Sequence, residues 1–345
     1  MPLFGKKKSN WQSNKSPVVL TKSLGKGADG EVWQTDRQGV VAKLYKPETI
    51  RNHVTKQITK LRYMVANPIR PPNDPALAIA WPRELFMDSW GHPVGFLMPE
   101  CPGRSLIEAY HPTHRKRIFP DHTWQEAIAT AHDLALLVAH IHQHSHIVIG
   151  DLNPNNIRIH SYHGISIIDT DSFQISVPGQ IFPCIKDFPE YQAPEVSKSV
   201  KNLGGRDHSQ DCFALAILIY QVLMCGEHPY DGVYQGEKPA REEAVKRGYT
   251  VLDPSSPFKP KPGRPSPHHL PKALFDLFYR ALVQGHSNPS IRPRASEWES
   301  ALYQVHEKGI RGCQEKRNHK YAKELSSCPW CGITKAGGGD LYPFS

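Results

Sequence analysis

Asp151 lies in the run Ile149-Gly150-Asp151-Leu152-Asn153-Pro154-Asn155-Asn156, five positions before Asn156. A second aspartate, Asp169, follows the apolar pair Ile167-Ile168. These residue types at this spacing suit phosphoryl transfer. Moving a γ-phosphoryl group calls for one carboxylate to orient the attacking hydroxyl and accept its proton. It also calls for oxygen ligands, here an Asn and a second carboxylate, to hold the Mg²⁺ that neutralises the phosphates. One tight loop would present Asp151 and Asn156 together, and the end of the next strand would present Asp169. Asn, Asp and Pro are also favoured in turns for purely local reasons, so turn chemistry is the lesser alternative for the pattern on its own.

Gly25-Lys26-Gly27-Ala28-Asp29-Gly30-Glu31-Val32 adds a Gly-x-Gly-x-x-Gly-x-Val string. Glycine lets a backbone approach phosphates closely and take positive φ, so such a loop can cover a nucleotide. In dinucleotide-binding folds the same string follows a strand and opens a helix. Here it runs into Glu31 to Thr35 and then Gly39 to Tyr45, separated by the turn-forming Asp36-Arg37-Gln38-Gly39. The sequence therefore predicts two strands joined by a turn, which excludes the dinucleotide fold. Lys43 ends Val40-Val41-Ala42-Lys43, the place where a lysine would reach α- and β-phosphates.

With these residues in this order, the chain resembles the bacterial eukaryotic-like Ser/Thr protein kinases from about Leu20 to His306. Further strings fit that family by order and spacing. Tyr191-Gln192-Ala193-Pro194-Glu195 is similar to the Ala-Pro-Glu that closes an activation segment. Asp211 to Tyr220 is similar to the family's central buried helix, with Gly226-Glu227-His228-Pro229-Tyr230 after it. Arg292 matches the arginine that pairs with the Ala-Pro-Glu glutamate. The resemblance implies an α+β, two-lobed protein kinase fold, with a small lobe over 17–102 and a large lobe over 103–310. It implies Asp151, Lys43, Asn156 and Asp169 as the catalytic set, and Asn156 and Asp169 as Mg²⁺ ligands. ATP would be held by Gly25, Lys26, Gly27 and Gly30, by Val32, Ala42 and Lys43, and by Asn156 and Asp169. Met98 would back the adenine pocket, while Pro99 and Cys101 would offer backbone hydrogen bonds to the adenine edge.

Four departures stand beside the matches. Gly150 occupies the place where regulated kinases carry an Arg that answers a phosphorylated activation loop, which argues against that switch. Asn153 stands where a lysine usually contacts the transferred phosphate. The metal-binding triplet that should end in Gly reads instead Asp169-Thr170-Asp171-Ser172-Phe173, which makes Asp171 an alternative ligand. No Glu lies in the middle of the helical stretch Pro47 to Ala66 to pair with Lys43; Gln57 or Glu84 are the candidate substitutes.

The stretch Thr123 to His144 carries helical apolar spacing and delivers the chain to the Asp151 loop. His140, His142, His144 and His146 alternate along its end, cannot all face one metal, and are read as structural. Seven prolines from Pro254 to Pro271 predict a solvent-facing, extended connection. The 345 residues, 39% hydrophobic, are enough for a sizeable core. The longest apolar stretch, Phe213 to Met224, is too short to span a bilayer. An odd count of seven cysteines without an apolar N-terminal signal points to a reducing, cytoplasmic setting. The net charge of +9 sits partly in Lys6-Lys7-Lys8, within an expected flexible tail over 1–16, and partly around Arg311 to Lys323. No recognised nucleic-acid-binding motif accompanies it, so a solvated basic surface is the expectation.

Beyond the kinase motifs, Cys313, His319, Cys328 and Cys331 form a Cys-x5-His-x8-Cys-x2-Cys pattern. Thiolates two residues apart on a turn can clasp one tetrahedral Zn²⁺, and two further ligands complete a closed structural site. The sequence thus predicts a zinc-ribbon-like module over 311–345, stapled by metal because so few residues cannot bury a core unaided. On that reading its loss would leave the kinase part intact. A kinase followed by Cys-Pro-Trp-Cys resembles a group encoded in tellurite-resistance or stress clusters, which implies a von Willebrand A-type or phosphatase partner beside the protein substrate. Three functions compete: a protein Ser/Thr kinase, a small-molecule phosphotransferase of the aminoglycoside or choline kinase type, and a nucleotide-binding pseudokinase scaffold. The Gly-rich loop, Ala193-Pro194-Glu195, Asp211 and Arg292 favour the first.

Overall fold

The computed structural model describes residues 11–13, 17–160, 164–186, 188–196, 200 and 203–343. The basic run Lys6-Lys7-Lys8 lies outside them. The chain is a mixed α/β protein that divides into two compact units. The first comprises residues up to Pro71, Ala78–Cys101 and Ile167–Asp171; the second holds the rest.

The first unit is built on a seven-stranded sheet in the order β2-β1-β7-β8-β5-β4-β3. Its strands are β1 (Trp11–Ser13), β2 (Pro17–Val18), β3 (Leu20–Lys26), β4 (Gly30–Thr35), β5 (Val40–Tyr45), β7 (Glu84–Met87) and β8 (Pro93–Pro99); the short β6 (Ala78–Ile79) stands outside it. The expected pair of strands around Asp36 to Gly39 is present as β4 and β5, closed by Val40 N–H donating to Arg37 O at 3.2 Å. β1 falls within the stretch expected to be a flexible tail: Gln12 pairs with Met87 and Ser13 with Phe86.

One sheet face buries Val18, Ala42, Leu44, Phe86 and Leu97 as a core. Helix α1 (Pro47–Ala66) has the bounds expected from the sequence. Pro47 opens it where an N–H would go unpaired and where proline's φ already suits a helix. Ile58, Leu61 and Met64 recur at helical spacing and are buried. Ile167–Asp171 joins this unit through Ala80 N–H, which donates to Ile167 O at 2.9 Å, and through Thr170 Oγ1, which donates to Ala80 O at 2.7 Å.

The second unit centres on two long helices. Trp124–His142 starts with a reciprocal cap, in which Thr123 Oγ1 accepts from Gln125 N–H and Glu126 accepts from Thr123 N–H. His208–Leu223 is buried along nearly its whole circumference, as its unbroken apolar run requires. Of the histidines after residue 139, His142 stacks on His208 and meets Asp211, a structural use. The proline-rich connection is pinned by a bridge between Val233 and Lys259 and contains a short 3-10 turn, Pro267–His269.

Arg292 ties this unit together. Its guanidinium donates to both Glu195 oxygens (2.6 and 2.9 Å), to Ser209 O and to Gly285 O, and lies over the Phe213 ring. The Arg292 side chain is 1% exposed whereas that of Glu195 is 29% exposed, so the expected pair is buried on the arginine side only. Arg292→Ala would leave two carbonyls and a carboxylate short of a donor. Water can reach Glu195, so the expected loss is about 3 kcal/mol, the lower end for breaking a buried pair. Denaturant unfolding checks this: a midpoint equal to wild type would show that Arg292 does not clamp the fold.

Candidate functional site

In the first unit, Lys43 is the centre. Its ammonium is buried and meets Asp169 Oδ1 at 2.5 Å and the Asp171 oxygens at 2.7 and 2.9 Å. Burial pushes its pKa down, but the charges of Asp171 and Asp169 outweigh that and raise it, so Lys43 stays charged. Burial likewise pushes the Asp171 carboxyl up, and Lys43 and Tyr45 more than reverse the effect. Neither expected substitute serves Lys43. Gln57 Nε2 donates to Tyr45 OH at 2.8 Å, and Glu84 pairs with Arg37 at 3.2 Å. The partner that sequence reasoning missed is Asp171, which it held only as an alternative metal ligand.

Strand alternation sorts the other nucleotide-binding candidates of this unit. Val32 is the register partner of Lys43 across β4 and β5, and Met98 is that of Val41 across β5 and β8. Ala42 lies on the other face of the sheet. Successive residues of a strand face opposite sides, and Ala42 lies in the core with Leu97 and Phe86; Val41 shares the Lys43 face. Gly25 and Lys26 end β3 opposite Val32 and Glu31, and Gly27 opens the turn into β4; a side chain at Gly25 would meet nothing within 4 Å. Gly30 has a packing reason instead: a Cβ there would come within 2.2 Å of Leu44 O. Pro99 ends β8 opposite Val40, and Cys101 closes the unit with its thiol 3.8 Å from Pro99 O.

In the second unit, the Asp151 loop is held from beneath by Asp211. This buried carboxylate accepts from Ile149 N–H (2.9 Å) and Gly150 N–H (2.8 Å) and lies 3.1 Å from His142 Nε2. Asn153, 3% exposed, donates to Asp151 Oδ1 at 2.9 Å, while Asn156 donates to Asp151 Oδ2 at 3.0 Å. The Asn that replaces a lysine is therefore a clamp on the carboxylate. The loop's Gly150 has φ +72°, and a Cβ there would lie 2.8 Å from Cys184 Cβ. Arg206 reaches the same spot from a distant part of the sequence, donating to Gly150 O and to Lys186 O.

Also in this unit, Cys313, His319, Cys328 and Cys331 place their ligand atoms within 4.8 Å of one another. Cys313 lies beside the hairpin Ile310–Gly312/Lys320–Ala322, and Cys328 and Cys331 sit at the start of the helix Pro329–Lys335. The Cys313–Cys331 sulfur separation is 3.7 Å, and His319 Nδ1 is 3.4 Å from Cys328 Sγ and from Cys331 Sγ. Tetrahedral zinc has S···S edges of about 3.8 Å and S···N edges of about 3.5 Å, so the donor set is compatible with Zn²⁺. His319 Nε2 meets Asp340 Oδ1 at 2.9 Å, the outer carboxylate that orients a ligating imidazole.

The cluster does not sit on a separate appendage. Trp330, 1% exposed, packs against Trp124 and Tyr342. Buried Arg115 donates to Leu341 O and stacks on Tyr342, whose hydroxyl lies 3.2 Å from Cys225 Sγ. Trp330, Leu341 and Tyr342 thus pack into the second unit rather than standing apart from it.

Compared with known proteins, the chain is 30% identical over 333 residues to the protein kinase YegI in two strains of Escherichia coli. That similarity covers 93% of this chain and 49% of the relative, so the chain spans about half the length of these curated relatives. A stretch of 91 residues is 35% identical to the probable serine/threonine-protein kinase MARK-C of Dictyostelium discoideum, covering 26% of this chain and 11% of that protein. These similarities support a kinase. No family model matches the chain. Among the described residues, no helix is long and apolar enough to cross a membrane.

The Gly150 geometry generates a prediction. Gly150→Ala has to hold a left-handed backbone, at about 1–2 kcal/mol, and also displace Cys184. The variant is expected to melt several degrees below wild type; an unchanged melting temperature would show that the site does not need glycine.

Proposed function

We propose that the chain is an ATP- and Mg²⁺-dependent protein Ser/Thr kinase. The observation that carries this reading is the Asp151 loop: one carboxylate, both oxygens held by flanking amides, on a backbone anchored to a buried aspartate. A carboxylate aimed in this way orients a substrate hydroxyl and accepts its proton. Asn156 spends its amide N–H on Asp151, which leaves its amide oxygen as a ligand for Mg²⁺. Asp169, 27% exposed, offers a carboxylate of the kind Mg²⁺ prefers. The ion, when bound, neutralises phosphate charge. Lys43 stays charged beside Asp169 and Asp171 and is the group to meet the α- and β-phosphates.

Two observations weigh on the competing readings. The missing helix glutamate does not leave Lys43 unpaired, which weakens one of the two reasons, beside Asn153, for an inactive scaffold. The Glu195–Arg292 clamp and the Asp211 anchor are built as a protein-substrate platform needs, which favours protein over a small-molecule acceptor. Arg206 already bridges Gly150 O and Lys186 O without a phosphate, in keeping with activity that needs no activation-segment phosphorylation. The Cys313, His319, Cys328 and Cys331 set is proposed as a structural Zn²⁺ site.

Incubation with labelled ATP and Mg²⁺ should place label on a protein acceptor. Asp151→Ala should lower turnover by about 10²–10⁴-fold with nucleotide affinity little changed. Wild-type turnover in that variant would remove Asp151 from the chemistry.

The purified protein is also expected to carry one zinc per chain, lost in Cys328→Ser/Cys331→Ser. The thiolates bind deprotonated, so zinc should leave as pH falls. Because Trp330 and Tyr342 share the core of the second unit, zinc loss should lower the melting temperature of the whole unit. Elemental analysis showing an equal zinc content in wild type and the double variant would sink the site.

A further inference from the structure

The two carboxylates on Lys43 are not equivalent. Asp171 is 5% exposed on its side chain and offers the ammonium both oxygens. Its Oδ2 also accepts from Tyr45 OH at 2.7 Å, and that hydroxyl in turn accepts from Gln57 Nε2. Its main-chain oxygen accepts from buried Lys60 Nζ at 2.7 Å. The residue before it, Thr170, is pinned to Ala80 O. Asp169 meets Lys43 through Oδ1, keeps 27% of its side chain exposed, and sits at φ +60°. Moving Asp171 would take from Lys43 the partner that meets it with both oxygens and would leave the buried Tyr45 hydroxyl without its acceptor. Turning Asp169 outward strands neither, because Asp171 remains.

We propose that Asp171 is the permanent counterion of Lys43, in place of a helix carboxylate, and that Lys60 and Tyr45 are positioning residues that hold it. Asp169 is then the carboxylate left for the cation. The inference rests on the kinase reading and deepens it. Helix α1 contributes a cation and an amide, Lys60 and Gln57, where a carboxylate was expected. The alignment of Lys43 is therefore set by the short segment that also carries Asp169. A displacement of α1 would loosen the hold on Asp171 but would not carry away the counterion itself.

The test uses Asp171→Asn, Asp169→Asn and Lys60→Met in the full chain, with a fluorescent ATP analogue titrated in EDTA and in Mg²⁺. Asp171→Asn should weaken binding about tenfold or more in both buffers, the range for losing a hydrogen-bonded charge partner, while keeping the gain that Mg²⁺ brings. Asp169→Asn should lose that gain and bind in EDTA much as wild type does. Lys60→Met should raise KM for ATP by a larger factor than it lowers kcat. Double-mutant cycles with Lys43→Met, read by denaturant unfolding, should couple Lys43 to Asp171 more strongly than to Asp169. The proposal falls if Asp169→Asn keeps the Mg²⁺ gain and Asp171→Asn loses it, or if the two couplings are equal. A wild-type chain that binds no ATP defeats the kinase reading instead, and the couplings then decide the pairing by themselves.

Discussion

An ammonium shut away from water, as that of Lys43 is, has to be met by fixed negative charge, and much of the first unit is arranged around that requirement. Desolvating a cation costs several kcal/mol even after relaxation. The chain answers with two carboxylates from one short segment, and Tyr45, Gln57, Lys60 and Ala80 then fix that segment. The segment is accordingly part of the sheet-bearing unit, although its neighbours in sequence on both sides belong to the other.

The second unit solves the converse problem, an anion that must be aimed. Asp211 stands buried near the start of a helix that is buried almost throughout and takes up the backbone N–H groups of Ile149 and Gly150. This anchors the loop, and Asn153 and Asn156 then hold the Asp151 carboxylate at its tip. Gly150 is where the sharp bend needs a left-handed residue, and Arg206 and Cys184 fill the space that a side chain there would take. The absent arginine of regulated kinases is thus matched by an arginine from elsewhere in the chain, bonded to a carbonyl.

Features dictated by local periodicity or by short-range spacing were legible from the sequence. Helix α1 could be bounded because proline opens it and apolar residues repeat along one face. Cys313, His319, Cys328 and Cys331 stood out as candidate metal ligands because thiols at this spacing suit a metal, and their ligand atoms do converge. Ala42 lies on the sheet face opposite Lys43, because a shift of one residue along a strand exchanges its faces. The partner of Lys43 was hidden for a different reason: which carboxylate meets a buried ammonium more than a hundred residues away depends on tertiary packing. Spacing from Asn156 singles out Asp169 as the metal-ligand candidate, but nothing in the string Asp169-Thr170-Asp171 shows which acid is the buried partner of Lys43 until burial does.

The same argument explains why the sequence suggests a separate module around the cysteine cluster where the structure shows contacts with the second unit. Spacing reveals ligands, but it does not reveal what the intervening side chains pack against. Trp330, between the two cysteines of the knuckle, is spent on Trp124, and Asp340 holds His319 while Leu341 and Tyr342 run on into Arg115 and Cys225. Metal-free, burial pushes the Cys328 thiol up and drives that of Cys331 to about 12; a bound divalent cation would invert that balance and hold both as thiolates. The cation would then secure Cys328 and Cys331 on either side of Trp330, and with them one wall of the aromatic core. A site that looks peripheral in the sequence is, in energetic terms, part of the support for the helix that leads into the Asp151 loop.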